Sequence, residues 1–367
     1  MVMLPASKSL LLPASKPLLL PASKSLLLPT EVLDLIFRLL PPPALQAAVL
    51  VCRRWREVAE APGLWACLRL TATRKNLSSL PRLLDTRRMQ GVRRLSLGAL
   101  SRRLLEAVAR HGELRSLDIS CRKMAPVESE LLARAVCRVQ EVKVDKLTHH
   151  QVRAVLLQIT TGESSLKKLR LGSYCDLSCL EAGLLARAAN MLEEVELFGQ
   201  QLASSKVEAI LLGLGGRSSL RVLAVRPDDL SSLQPSLLAQ AAPRLEDITL
   251  SGSSLTSLQL EELLSAVAAG PGKLRKLQLL TFHPPSLSSL APSLLARAVH
   301  LLEEVLLCFP VDRELVEAVL AHSGDNSRLG RLRIGEVCGG HLPEDLVKTA
   351  KMKYSLNLEY SKNLGNI

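Results

Sequence analysis

One pattern, apolar-x-x-apolar-x-apolar, constrains this chain more than any other feature. It starts at Trp65, Val92, Leu114, Val139, Leu166, Leu192, Leu220, Leu245, Leu274, Leu302 and Leu329, with a last partial copy at Leu356-x-Leu358. Full copies are separated by 22 residues (Val92 to Leu114) to 29 residues (Leu245 to Leu274). That interval is too short for a domain and long enough for one strand and one helix. The alternation predicts the short strand, and the apolar spacing between copies predicts the helix, as at Val127 to Cys137, Gln151 to Ile159 and Leu260 to Ala268. Such a unit buries its leucines only against its neighbours. The expected fold class is therefore α/β, a solenoid with a curved parallel sheet inside and helices outside. Aromatic residues at 2% fit a core built from many thin leucine layers.

A second, longer period runs through the same region. ELLARAVCRVQEV, GLLARAANMLEEV, SLLAQAAPRLEDI and SLLARAVHLLEEV alternate with VRAVLLQITTGESSLKKL, VEAILLGLGGRSSLRVL and LEELLSAVAAGPGKLRKL, so pairs of repeats were the unit of duplication. Between the strand leucines, one repeat type places acidic residues (Glu194, Glu196, Asp247, Glu304) and the other basic ones (Lys168, Arg170, Lys276, Arg331, Arg333). Neighbouring strands would then carry opposite charges side by side, each pair contributing roughly 0.2–1 kcal/mol. Two roles are open to them: a ladder that sets the strand register, or a surface that reads a partner. Tyr174, Phe198, Phe282 and Phe309 are expected just beyond strands along one rim, packed under the turns or presented for recognition.

Leu28 to Leu70, LPTEVLDLIFRLLPPPALQAAVLVCRRWREVAEAPGLWACLRL, breaks the pattern. A helix is predicted from Pro29, whose missing N–H costs nothing at a helix start, with Glu31 in the favourable first turn. It must stop before Pro41-Pro42-Pro43. Val32, Leu33, Leu35, Ile36, Phe37, Leu39 and Leu40 sweep roughly 200° of its circumference, about twice the stripe a surface helix buries. Leu45, Val49, Leu50, Val51, Trp55 and Val58 continue at helical spacings, giving three short helices in all. A unit this small cannot cover that much apolar surface by itself, so a second protein should cover the excess.

The Leu28-Pro29-x-Glu31 start, Ile36-Phe37, the Val51-Cys52-Arg53-x-Trp55-Arg56 centre and the closing Pro62-x-Leu64-Trp65 resemble an F-box. The resemblance implies docking on a Skp-type adaptor and, through it, on a cullin. Leu28, Pro29, Glu31, Leu33, Ile36, Phe37, Leu40, Leu45, Val51, Cys52 and Trp55 are the adaptor-contacting positions it implies. Cys52 is expected to be packed rather than reactive, since no activating His lies nearby. Residues 65 to 358 resemble leucine-rich-repeat proteins but lack the Asn or Cys that usually follows each strand. The backbone of the turns must then find other partners. The implied protein is a non-catalytic substrate receptor of a cullin-type (SCF) ubiquitin ligase, the alternative being a scaffold that binds the adaptor without promoting ubiquitination.

Charge adds a location. The chain carries 47 Lys and Arg against 35 Asp and Glu. Residues 1 to 111 hold 18 of the basic and 6 of the acidic side chains, so the remainder is balanced at 29 each. Between Thr71 and His111 stand Arg74, Lys75, Arg82, Arg87, Arg88, Arg93, Arg94, Arg102, Arg103 and Arg110 against Asp85 and Glu106. This excess is either a solvated basic face or the entry site of a protein target that is acidic or phosphorylated. The expected target surface comprises Arg93, Arg94, Lys168, Arg170, Glu194, Glu196 and Lys276. Nucleic acid is a poorer fit, because the basic third lacks interleaved aromatics.

Eight scattered cysteines without CxxC pairs point to reduced thiols in the cytoplasm or nucleus. Cys175 with Cys179, or Cys338 with His341, would be only half a zinc site. His149-His150 opens a repeat helix without a paired carboxylate or nucleophile in the sequence, and no P-loop, dinucleotide or metal motif occurs. No cofactor is expected and no membrane-spanning run is present. The leader carries three octapeptides, LPASKSLL, LPASKPLL and LPASKSLL, with Leu28-Pro29-Thr30-Glu31-Val32-Leu33 as a fourth, worn copy, as tandem duplication of that entry would leave. With Pro every eight residues it is expected to be disordered. The predicted division is thus 1–27 leader, 28–70 F-box, 71–358 repeats and 359–367 tail.

Overall fold

The computed structural model describes residues 28–40, 42–65, 69–72, 78, 80–86, 90–120, 129–215, 218–270, 272–283, 290–321, 328–338 and 348. The octapeptide leader, the partial repeat at Leu356-x-Leu358 and the tail lie outside them, as do Arg74, Lys75, Arg87 and Arg88. The chain divides into two compact units between Leu64 and Trp65.

The first unit holds α1 (Thr30–Arg38), α2 (Pro42–Ala48) and α3 (Arg53–Ala59), and the boundary falls at the last residue of a single turn, α4 (Pro62–Trp65). Pro29 is the N-cap of α1 rather than its first residue, and Glu31 sits in the first turn. Leu33, Phe37, Leu45, Ala48, Val58 and Ala59 make its core.

In the second unit, strands and helices alternate: β1 (Arg69–Ala72), α5 (Leu80–Leu84), β2 (Arg94–Leu97), α6 (Arg102–Arg110), β3 (Ser116–Ile119), α7 (Ser129–Cys137), β4 (Glu141–Val144) and α8 (His149–Thr160). There follow β5 (Lys168–Leu171), α9 (Ala182–Asn190), β6 (Glu194–Leu197), α10 (Ser204–Gly213), β7 (Val222–Val225), α11 (Pro235–Ala241) and β8 (Asp247–Ser254). The series closes with α12 (Ser257–Ala269), β9 (Lys276–His283), α13 (Pro292–His300), β10 (Glu304–Asp312), α14 (Arg313–Ala321) and β11 (Arg331–Cys338). Among the described residues eleven strands pair in chain order in one sheet, each pair parallel, as between β2 and β3 or β9 and β10.

The repeat pattern explains the register. From β2 onward each strand begins two residues after the first apolar position of its copy, as Arg94 follows Val92 and Lys276 follows Leu274. The second and third apolar residues then stack across the sheet. Leu95, Leu117, Val142, Leu169 and Val195 form one buried row. Leu97, Ile119, Val144, Leu171 and Leu197 form the next. The first copy departs from the reading. Leu70, not Leu68, aligns with Leu95, so that frame starts two residues later than Trp65, which belongs to α4 instead. Phe282 and Phe309 also differ from expectation, since β9 and β10 extend through them.

The turns find their hydrogen bonds in an alternating way that mirrors the double period. Gln259, the third residue of α12, is wholly buried. Its Nε2 donates to the carbonyls of Leu230 (2.7 Å) and Leu233 (2.6 Å) in the preceding repeat, while its Oε1 accepts from Thr256 N (2.8 Å). Both amide donors and the acceptor are thereby satisfied, which an apolar interior requires. Lys206, the third residue of α10, does the same with an ammonium: Nζ donates to Leu177 O (2.5 Å) and Ser178 O (2.7 Å). Burial pulls its pKa below the ordinary lysine range. These helix-borne side chains do what the missing Asn would do. Gly199 completes the turn after β6, where a Cβ would come within 2.7 Å of the Cys175 carbonyl oxygen.

Candidate functional site

In the first unit, one short helix carries more apolar surface than its neighbours cover. α1 buries Leu33 and Phe37 and leaves Leu39 at 86%, Leu35 at 63%, Ile36 at 41% and Val32 at 37% exposure. Beyond α2, Leu50 and Val51 stand 79% and 59% exposed. Local bonds hold these residues in place. Arg56 Nε donates to Val49 O (3.2 Å) at the turn that presents Leu50 and Val51. The Arg54 guanidinium donates to the Leu28 carbonyl, tying the start of the unit to α3. Cys52 Sγ accepts from Trp55 N (3.5 Å) as the N-cap of α3, a packed cysteine serving as a cap.

The eleven expected adaptor-contacting residues fall into three groups. Pro29, Glu31, Ile36 and Val51 are exposed. Leu28, Leu40, Cys52 and Trp55 are half-buried. Leu33, Phe37 and Leu45 are core residues of the unit itself. Trp55 packs edge-on against Phe37, with ring centroids 5.3 Å apart at 74°, and its buried Nε1 has no hydrogen-bond partner among the described residues. Glu31 instead lines a cleft of about 580 Å³ with Asp34, Leu35, Arg54, Glu57 and Val58. Sequence reasoning left Val32, Leu35, Leu39 and Leu50 out of the site. The signal was available for three of them, since Val32, Leu35, Ile36 and Leu39 repeat at intervals of three and four along one helix face.

The open face of the repeat sheet carries the charged rows. Lys168 Nζ meets Glu194 at 2.5 Å and Arg170 Nε meets Glu196 at 3.1 Å. Lys276 lies 3.7 Å from Glu304, which also takes Arg331 at 3.3 Å. One residue before the strands, Glu193 accepts from Lys167 (2.8 Å) and Arg221 (2.9 Å), which hold its carboxyl below the usual range. Four of the seven expected target residues are therefore engaged with one another across the sheet, and a fifth, Lys276, is engaged by Glu304. Arg94, at the start of β2 three strands before Lys168, and Arg93 before it are exposed, as is Arg115, which the sequence reading did not single out. None of these three side chains takes part in an ion pair among the described residues. Arg115 sits where backbone pairing begins, its N–H donating to Arg93 O (2.9 Å).

Tyr174 is exposed, and Arg170 lies over the half-buried Phe198 ring at 5.7 Å from its centroid. His149 Nδ1 lies 3.5 Å from Asp176 Oδ2. Hydrogen bonds from Ser178 lower the Asp176 pKa, and with its partners in a turn this carboxylate is structural. Cys175 is buried, and that burial pushes its thiol up to about 12, which keeps it protonated. Among the described residues no group of His, Cys, Asp and Glu is placed to hold a metal, and no helix is long and apolar enough to cross a membrane.

The family model described as F-box-like matches residues 26–71. No curated protein matches the chain. The F-box-like domain coincides with the helices whose apolar face is exposed, and it supports an adaptor-binding role in a ubiquitin ligase.

Proposed function

We propose that this protein is the substrate-recognition subunit of an SCF-type ubiquitin ligase. The F-box docks on a Skp-type adaptor, which joins it to the cullin, and the leucine-rich repeats hold the target protein. The observation that carries this reading is the exposed apolar surface of Val32, Leu35, Ile36, Leu39, Leu50 and Val51 on an F-box-like domain. Leaving such a face in water forfeits roughly 25 cal/mol for every Å² that a partner would bury. The target, acidic or phosphorylated, meets the open sheet face at Arg93 and Arg94, with Lys168, Arg170, Glu194, Glu196 and Lys276 alongside as a paired charged floor. Holding the target beside a ubiquitin-charged enzyme raises its effective concentration, so the subunit itself makes and breaks no bonds.

The test is calorimetric titration of a Skp-type adaptor into the full chain. Leu39→Ala with Val51→Ala should weaken binding at least about tenfold, as truncated interface anchors do, while leaving the melting temperature unchanged. Wild-type affinity in the folded double variant would sink the docking assignment. With docking intact, a repeat-bound protein should gain ubiquitin in a reconstituted assembly. Unmodified target under those conditions would establish the scaffold reading instead.

A further inference from the structure

On the helix-covered side of the repeats, a groove of about 650 Å³ runs along α6 and α7 to the C-terminal end of α8. Four guanidiniums line it, Arg102 and Arg110 from α6 and Arg134 and Arg138 from α7 and the residue after it, against the carboxylates of Glu106 and Glu163. Glu106 is engaged by Arg102 at 3.0 Å, and Arg110 lies 3.6 Å from Asp85. Arg134 and Arg138, four residues apart and both exposed, have no anionic partner among the described residues. Like charges at that spacing on a helix are mildly destabilising.

The simplest structural account is that cations gather at helix C-termini to meet the macrodipole, an effect of about 0.3–1 kcal/mol each. The other repeats argue that the fold does not need them. In α9, α11 and α13 the positions matching Arg134 and Arg138 hold Arg187 with Met191, Gln240 with Arg244, and Arg297 with Leu301, so only α7 of these four has arginine at both. Where α6 ends in Arg110, α8, α10 and α12 end in Thr160, Gly213 and Ala269. A second, smaller cleft of about 320 Å³ lies where α11, α12 and α13 end, and its walls are Ala266, Ala269, Gly272 and Leu301, with Arg328 the one charged residue among the described residues that line it. The fold thus accepts other residues at these positions, and the paired arginines are particular to α7 among these four helices.

We propose that the groove across α6–α8 binds an anionic peptide segment of a partner protein, its carboxylate or phosphoryl groups paired with Arg134 and Arg138. The volume lies within the range of pockets that hold ligands. Guanidinium is the side chain whose planar fork meets either anion with two hydrogen bonds. This site lies on the face of the repeats opposite Arg93 and Arg94 and does not depend on adaptor docking.

The experiment is fluorescence anisotropy of the full chain with two labelled probes of equal length, a deca-glutamate peptide and a Gly-Ser peptide bearing two phosphoserines. At least one should bind, and its affinity should fall about tenfold or more between roughly 0.05 and 0.3 M salt. Arg134→Glu with Arg138→Glu should weaken that probe at least about tenfold, whereas Arg187→Glu with Arg297→Glu should leave it within about twofold. Binding of the glutamate probe identifies carboxylate as a sufficient anion; binding of the phosphoserine probe alone identifies phosphate. Affinity unchanged by the Arg134 and Arg138 reversals, in chains that melt like wild type, overturns the proposal. Loss on Arg93→Glu with Arg94→Glu alone overturns it too and assigns the anion to the open face.

Discussion

Six large apolar side chains stand exposed among the described residues up to Leu64, and six among those of the repeat unit, which is several times longer. In the first unit they are neighbours on α1 and in the turn after α2; in the second they are spread from Leu157 to Leu301. Conversely, the repeat unit hides its leucines in continuous rows and presents alternating charge, whereas the first unit's ion pairs are local ones such as Arg38 with Asp34 at 2.8 Å. The difference follows from size and closure. A stack of repeats covers the apolar face of each layer with the next, while three short helices have no next layer. What the first unit lacks, a partner can supply. What the second unit offers a partner is charge, most openly where the paired rows give way to Arg93, Arg94 and Arg115.

The contrast breaks most visibly if the first unit has no core of its own. Phe37 is 1% exposed and packs on Trp55. Phe37→Ala should cost about 3–5 kcal/mol, the usual range for a buried aromatic. Adaptor binding would fall with it through unfolding, seen as lost helical circular dichroism rather than as a weaker docking surface. A silent Phe37→Ala would mean that this unit folds only against a partner.

On the repeat side the counterpart is polar. Gln259→Leu keeps the side-chain bulk but orphans the Leu230 and Leu233 carbonyls and the Thr256 N–H. A loss of about 3 kcal/mol is expected, the upper end of the cost of one buried unsatisfied group. Urea denaturation reads it directly; a change below about 0.5 kcal/mol would show that water takes over those carbonyls.

The reach of sequence reasoning follows the same divide. Strand starts were legible because each copy keeps the same apolar spacing, and the start of β1 slipped, where Trp65 imitates a leucine of the frame while its backbone is still helical; the ends of β9 and β10, which run on through Phe282 and Phe309, were not. The ladder of Lys168 with Glu194 and Arg170 with Glu196 was legible because a parallel register places equal positions side by side. The roles of Lys206 and Gln259 were not, since each acts on a turn nearly thirty residues away in the chain. Within the first unit the excess of apolar residues could be read, but not its division. Leu33 and Leu35 look alike until packing buries one at 1% and leaves the other 63% exposed. The groove across α6–α8 was illegible for a related reason: its arginines come from two helices and are brought together only by stacking.

That division predicts a smaller effect on stability at the surface. Leu39→Ala and Leu50→Ala should each change the unfolding free energy by less than about 0.5 kcal/mol, as exposed positions do, although both leucines belong to the proposed docking face. A larger loss for either would place it in a packed contact and shrink the face available to a partner.

The smallest effect expected is at Asp247, where the alternating row is interrupted. In register, Asp247 lies between Val222 on β7 and Lys276 on β9, so it has a cationic neighbour on one side only. Its Oδ1 is buried without a hydrogen-bond partner among the described residues. Burial raises its pKa, Lys276 opposes the rise, and Glu304, Glu196 and Glu194 add to it. A carboxyl whose pKa is higher folded than unfolded favours the fold while protonated, below its unfolded value, and that contribution is lost as pH climbs through the folded value. At neutral pH the charge therefore works against folding. Asp247→Asn should stabilise the repeats there by a few tenths of a kcal/mol, discounted for solvent screening, and the gain should vanish near pH 3, where both states carry a neutral group. Glu193 behaves in the opposite sense, because Lys167 and Arg221 lower its pKa. Glu193→Gln should destabilise slightly at neutral pH and lose that effect in acid. Thermal melts of the two variants across pH 3 to 7 should thus shift with opposite signs. Shifts of the same sign would mean that the charged rows act through packing rather than through charge.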